Sequence, residues 1–327
     1  MNRYYYLLYL SVPASVALSL ASNGVMTYFA IIYAFGIIPL AELLIGDRLG
    51  PDSSVSQLQH SRFYDWLIYL NLPMQFALLI TFLILVTSGN YNWFECLGLT
   101  LSMGASSAVL GINAAHELGH RSRIFEQRMA QSLLLSTLYM HFFIEHNRGH
   151  HKNVSTPNDP ATSRRGESLY AYLPRTLLGS FLSAYRIDPS LFLKFMALQA
   201  LALATVFYAT GLAGMLFFIA SSSIGFIFLE TVNYIEHYGL ARKQLANSNY
   251  ERTRPEHSWN SNHLVGRIIL LELTRHSDHH ANPGRKYQDL RHFDSAPQLP
   301  TGYPGMMLLA TVPPLWFRLM DPRLQKA

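Results

Sequence analysis

The sequence predicts an all-α integral membrane protein, with six transmembrane helices carrying a histidine-rich cytoplasmic cap. Three observations predict it. Of 327 residues, 50% are hydrophobic and 14% charged, where a soluble domain carries about 25% charged residues. Six stretches are apolar for long enough to cross about 30 Å of hydrocarbon, which takes about 20 residues. All 25 Lys and Arg residues fall on one side of those stretches.

The spans lie at 4–22, 25–45, 66–87, 93–114, 191–210 and 213–233. They pair through short turns: Ser22-Asn23-Gly24, Ser88 to Asn92, and Thr210-Gly211-Leu212. The first span follows one Arg and a second span follows it at once, so it reads as a retained span rather than a cleaved signal peptide. The three turns hold no Lys or Arg. Arg3, Arg48 and Arg62, the stretch from Arg121 to Lys194, and everything from Arg242 onward lie on the other side. The positive-inside rule makes that side cytoplasmic, both termini included. The net charge of +5 fits loops against anionic headgroups and needs no nucleic-acid partner.

Two polar segments, 115–190 and 234–327, share the cytoplasmic side. Residues 129–145 are apolar but short for a span; they are expected as a helix packed in the bundle mouth or re-entrant. The chain, 1–327, is expected as a single membrane-embedded domain. Its one cysteine, Cys96, excludes a disulfide framework, a cysteine-bound zinc site and a four-cysteine iron–sulfur centre within the chain.

The polar segments hold 13 of the 14 histidines, with His60 in the earlier loop. His116-Glu117-Leu118-Gly119-His120 closes span four. His146-Asn147-Arg148-Gly149-His150-His151 and His276-Ser277-Asp278-His279-His280 follow, and His237 stands alone past span six. Histidines at i and i+4 share a helix face and reach one metal. The first string alone also matches the zinc-protease pattern H-E-x-x-H, with Glu117 as base. Nine imidazoles are too many for one tetrahedral zinc and suit two metals. Imidazole serves iron, zinc, copper and nickel. Two irons activating O2 is the most economical chemistry, with a membrane-dissolved substrate.

Carboxylates near the histidines are the next candidates. Glu230 lies inside span six, where a carboxylate is costly and functional by default; it is expected near the metal, ligating it or bonding a ligating His. Asp278, between two ligands, is expected to fix His tautomers. Asp159, Glu117, Glu145 and Glu236 qualify by adjacency. His141, His257, His263 and His292 are expected as hydrogen-bonding scaffold.

Three longer strings carry a resemblance: EHNRGHH with STPNDPATSRRGE (Glu145 to Glu167), NYIEHYGL (Asn233 to Leu240) with HSWNSNH (His257 to His263), and RHSDHHANPGRKYQDLRHF (Arg275 to Phe293) with LPTGYPG (Leu299 to Gly305). On these the chain resembles the membrane alkane 1-monooxygenases, non-haem di-iron hydroxylases of the bacterial inner membrane with a fatty-acid-desaturase-like fold. The resemblance implies two iron ions bound mainly by His116, His120, His146, His150, His151, His237, His276, His279 and His280. It implies terminal hydroxylation of n-alkanes to 1-alkanols with O2 and two electrons from rubredoxin, itself reduced by a rubredoxin reductase. Independently, the chain has no nucleotide fingerprint and no cysteine set, so electrons must come from another protein. Arg121, Arg123, Arg128, Lys152, Arg164, Arg165, Arg242 and Lys243 offer an acidic donor a landing surface.

The chain is expected to depart from the family pattern in four places: no rubredoxin domain follows Asp321-Pro322, the stretch from Arg186 to Leu191 lacks a polar insert that members often carry, Arg121 follows the first histidine string where Lys is common, and Thr274 stands where Gln is common. A xylene- or fatty-acyl-type hydroxylase or desaturase would use the same ligands. The zinc protease, and a metal transporter or sensor, remain readings of other classes. An alkane offers only length and shape for recognition, so Ala34 and Gly36 in span two are expected to leave room for a long chain.

Overall fold

The structure, a computed structural model, describes residues 2–46, 61–246 and 248–324. Arg48 and His60 lie outside the described residues. No β-strand forms among the described residues; two isolated bridges, Gln244 with Tyr250 and Asn260 with Gln298, are the nearest approach. Among the described residues, four helices are long and apolar enough to cross a membrane.

The chain enters through a 3₁₀ run, Arg3–Leu10, which continues into α1 (Ser11–Leu20). Together they occupy the expected first span and stand outside those four helices. Helix α2 (Gly24–Ile45) opens as 3₁₀ and contains a π-turn at Tyr33–Ile37. Helix α3 (Arg62–Thr87) is capped by the Ser61 hydroxyl and α4 (Trp93–Gly119) by a reciprocal Asn92–Glu95 capping box. Helix α7 (Pro189–His237) runs 49 residues and is broken at Gly211, whose φ of 73° and ψ of −173° are open to glycine alone. Its two arms coincide with the expected fifth and sixth spans.

Small residues let α4 and α7 approach closely. A Cβ on Gly104 would stand 2.3 Å from Ile224 Cγ2, and one on Gly225 would stand 2.6 Å from Ser107 Cβ. Between membrane helices that close approach replaces the hydrophobic driving force absent in lipid.

Between α4 and α7 lie α5 (Ile124–Leu135), a short helical stretch at 142–153, and the amphipathic α6 (Leu169–Ile187). The expected helix over 129–145 is therefore two helices. Leu138 sits at φ 52°, and Tyr139 N–H bonds back to the Leu134 carbonyl at 3.0 Å, ending α5 as a Schellman cap. Left-handed backbone costs a leucine about 1–2 kcal/mol. The break aims Tyr139 inward, where its hydroxyl donates to Glu230 at 2.9 Å, a buried hydrogen bond that offsets part of the strain.

The C-terminal segment carries α8 (Leu264–Ile269), α9 (His276–Ala281), α10 (Tyr303–Ala310) and α11 (Pro313–Leu324). Just before α9, Leu271 and Glu272 both hold positive φ, 51° and 59°. The buried Glu272 carboxylate restrains this turn through Arg267 at 2.8 Å, Arg275 at 3.2 Å and the Tyr6 hydroxyl at 2.5 Å. Asn260, in the string after Tyr238, holds Ser277 N–H at 2.8 Å and the Ser277 hydroxyl at 2.7 Å. That pair of bonds fixes the first turn of α9.

Candidate metal centre

Two π-turns set the register of the histidines. Residues Ser107–Asn113 of α4 form one, immediately before His116; His146–His150 form the other. In a regular α-helix, residue i+5 points about 140° away from residue i. A π-turn closes i to i+5 instead, so His146 and His151 meet, with Nε2 atoms 3.0 Å apart. The sequence spacing pairs His146 with His150 on one face. The backbone instead gives His151 to the His146 side and turns His150 toward a second group.

All nine histidines converge, in two groups: His116, His120, His146, His151 and His279; and His150, His237, His276 and His280. Helix α9 serves both, sending His279 to the first and His276 and His280 to the second. In the first group Nε2–Nε2 distances are 2.8 Å for His116–His279, 3.1 Å for His120–His146 and 3.1 Å for His151–His279. In the second they are 3.1 Å for His237–His276 and 3.2 Å for His150–His280.

These spacings fit a bound cation. A neutral imidazole has one lone-pair nitrogen and one N–H, and converging Nε2 lone pairs repel unless something electrophilic lies between them. Around a metal with bonds of about 2.0–2.1 Å, neighbouring ligand nitrogens at right angles stand about 3.0 Å apart. Burial and the surrounding imidazoles hold His146, His151, His276, His279 and His280 well below the usual histidine range, and burial puts His120 at about 3. They are neutral at pH 7, the form that binds metal.

His150 behaves differently. Burial lowers it, but the Asp159 carboxylate 2.9 Å from Nδ1 raises it overall. Asp159 itself would be raised by burial and is held low by His150. Asp159 is 3% exposed and also accepts the Thr162 hydroxyl at 2.6 Å and Ala161 N–H at 3.0 Å. This carboxylate directs the His150 Nδ1 proton outward and leaves Nε2 free. Glu236 is the other carboxylate at the site, with Oε2 3.2 Å from His276 Nε2.

The remaining carboxylates point elsewhere. Glu230 is fully enclosed, accepting from Tyr139 at 2.9 Å, Thr176 at 2.8 Å and Tyr172 at 3.3 Å; that hydroxyl cage left no signal in the sequence. Asp278 pairs with Arg291, at 3.1 Å, and with Asn282, at 2.7 Å. Glu117 accepts from Arg121 at 2.8 Å and from Tyr287 N–H at 3.3 Å, so it is engaged rather than free to act as a protease base. His141, His257, His263 and His292 stand outside both groups.

Of the basic residues expected to form a landing surface, Arg121 is buried in ion pairs with Asp65, Glu117 and Glu126. Arg242 is spent on the Lys152 and Glu251 carbonyls. An open cleft survives between Arg164, Arg175 and Arg186, and Asp159 lies at its lining.

A mostly apolar cavity runs among α1, α2, α4, α7 and the C-terminal helices, lined by Val12, Ala34, Val109, Leu229, Ile269 and Met307 among others. Ala34 faces it; Gly36 does not, and is exposed. Asn113 and Leu273 also line it, and the same two residues line a small void against His116 and His279. The apolar cavity and the void beside two of the five histidines thus share a wall at Asn113 and Leu273.

Known proteins place the chain. The fatty acid desaturase family model matches residues 91–309. Alkane 1-monooxygenase 2 of Pseudomonas aeruginosa is 40% identical, over 97% of this chain and 89% of its own length. Alkane 1-monooxygenase 1 of Alcanivorax borkumensis is 43% identical, over 89% of this chain and 76% of its own. The hydroxylase component of a xylene/toluene monooxygenase of Pseudomonas putida is more distant, at 29% identity over 85% of this chain and 78% of its own. Nine converging imidazoles, and these matches over nearly the whole chain, make it a member of the fatty acid desaturase family, within its alkane 1-monooxygenase branch.

Proposed function

We propose that the protein hydroxylates n-alkanes at the terminal carbon, RCH3 + O2 + 2e⁻ + 2H⁺ → RCH2OH + H2O. The observation that carries this reading is the shared wall at Asn113 and Leu273, which sets an apolar cavity beside the void that His116 and His279 line. The nine histidines would hold two iron ions, five nitrogens to one and four to the other, and iron so held supplies the reductive activation of O2. Burial of the rod between α1, α2, α4 and α7 leaves only its end at the histidines, so regioselectivity is positional. Asp159 orients His150, and Glu236 stands beside the metal-facing nitrogen of His276. Asp278 and Glu230 act through neighbours: Asp278 braces α9 against Arg291, and Glu230 ties α7 to Tyr139 and α6.

The membrane arrangement follows the charge pattern. In this reading α1 with its 3₁₀ lead, α2, α3, α4 and the two arms of α7 are six spans of the bacterial inner membrane. The histidine cap and both termini face the cytoplasm, the side that carries the basic residues. Rubredoxin, reduced by its reductase, would be the donor. Arg164 and Arg186 are exposed on the rim of the cleft that Asp159 lines, a surface suited to an acidic protein.

The test is iron content and turnover together. Purified protein should carry about two irons per chain and convert an n-alkane to the 1-alkanol with rubredoxin, its reductase and O2. One zinc per chain, or no dependence on O2, would overturn the reading.

A further inference from the structure

Asn113 closes the π-turn of α4 one helical turn before His116. Its side chain lines both the apolar cavity and the void beside His116 and His279. Its amide is oriented unambiguously: the NH2 group donates to the Leu270 carbonyl at 3.0 Å, and only a nitrogen can face a carbonyl in that way. The amide oxygen must then point elsewhere. Among the described residues it has no hydrogen-bond partner, yet it is not among the sealed polar atoms. Asn113 stands in the wall shared by the cavity and the void beside His116 and His279.

The other polar groups of the lining are spent or enclosed. Ser15 donates to the Val12 carbonyl at 2.7 Å and the Tyr33 hydroxyl pairs with Ser11 at 2.5 Å. The Tyr303 hydroxyl is closed off from open space. Asn113 Oδ1 is thus a lone acceptor at the histidine end of an apolar space. A saturated alkane has nothing to donate to it. A 1-alkanol has one O–H, at the terminal carbon, which is the end that lies there.

We propose that Asn113 Oδ1 accepts a hydrogen bond from the hydroxyl of a 1-alkanol held in this cavity, and that through it the site distinguishes oxidised product from saturated substrate. This rests on the alkane reading of the cavity. The geometry also explains why an apolar channel keeps an amide where leucine would pack as well: leaving a buried acceptor unpaired costs free energy, and here the cost falls while alkane is bound and is relieved once the hydroxyl has formed. Product retention is the consequence.

The experiment compares Asn113→Thr with Asn113→Val. The two side chains share a shape and differ by the hydroxyl, whose oxygen can accept. Iron-loaded protein in lipid nanodiscs, kept free of oxygen so that nothing turns over, is titrated with 1-dodecanol and with n-dodecane against a fluorescent fatty-chain probe. One hydrogen bond in such a site corresponds to roughly 3- to 10-fold in affinity. The expected result is alkanol binding weaker by that factor in Asn113→Val than in Asn113→Thr and in the wild type, with alkane binding equal in all three. Equal alkanol binding in the two variants would overturn the proposal, as would an equal loss for alkanol and alkane, which would mark Asn113 as a packing residue. Wild-type protein that binds neither ligand would overturn the alkane reading itself, and the proposal with it.

Discussion

Replacing Asp159 by Asn separates the two histidine groups. Both oxygens of Asp159 are engaged: Oδ2 receives His150 Nδ1–H at 2.9 Å and the Thr162 hydroxyl at 2.6 Å, and Oδ1 receives Ala161 N–H at 3.0 Å. An amide puts NH2 in place of one of those oxygens, so a donor meets a donor whichever way it turns. Turned toward Ala161, it keeps a neutral bond to His150 and strands buried N–H groups. Turned toward His150, it forces the imidazole proton onto Nε2, where metal would bind. A buried donor left unmatched costs about 1–3 kcal/mol. Losing the carboxylate behind a ligating histidine costs about 10–100-fold in metal affinity or activity, which is about 1.4–2.7 kcal/mol. The two routes agree. Asp159→Asn should bind metal 10–100-fold more weakly at one site and unchanged at the other. Cobalt titration of metal-free protein in detergent, followed by visible absorption, reads the two sites; elemental analysis reads iron after loading. Two sites of wild-type affinity would refute the role of Asp159. An equal loss at both would refute the division into two groups.

Three further outcomes follow from the same structure. His151→Ala and His150→Ala should perturb different metal sites although the residues are adjacent, giving distinct cobalt spectra; identical spectra would contradict the π-turn register. Ala34→Trp, filling the wall of the cavity, should cut activity on long alkanes at least tenfold and spare short ones, because over-packing at this wall shortens the space rather than unfolding the bundle; product analysis across chain lengths decides it, and unchanged selectivity would show that Ala34 only packs. Charge reversal at Arg164 and Arg186 should raise KM for rubredoxin about tenfold at low salt, leave kcat at saturating donor unchanged, and lose its effect at high salt. A KM indifferent to both reversals would place docking elsewhere.

Much of the architecture was legible because the bilayer imposes long-range order on local composition. A run of about 20 apolar residues reports a helix of fixed length, and the turns at Gly24, Gly89 and Gly211 are punctuated by positive-φ glycines. The nine histidines were legible as chemistry by their density and their placement at the ends of apolar runs. The break at Leu138 was not legible, because a Schellman cap ordinarily takes Gly or Asn at its left-handed position. There the tertiary bond from Tyr139 to Glu230 overrides local preference. Glu230 shows the same limit: its cost in a membrane helix marked it as important, but only the fold reveals that three hydroxyls surround it.

The sequence by itself determined where the long apolar runs fall and how many imidazoles are on offer, since both depend on composition and order along the chain. Only the tertiary structure decided which histidine shares a metal group with which. The i, i+4 rule assumes 3.6 residues per turn, and the inserted residue of a π-turn rotates everything beyond it. No residue type in His146–His150 announces that insertion; it persists because His151 and His279 can meet across it, 3.1 Å apart. The open amide oxygen of Asn113 is likewise a tertiary fact, set by the Leu270 carbonyl more than 150 residues away in sequence. Side-chain orientation at a site depends on partners brought together by folding, and spacing along one helix carries no record of them.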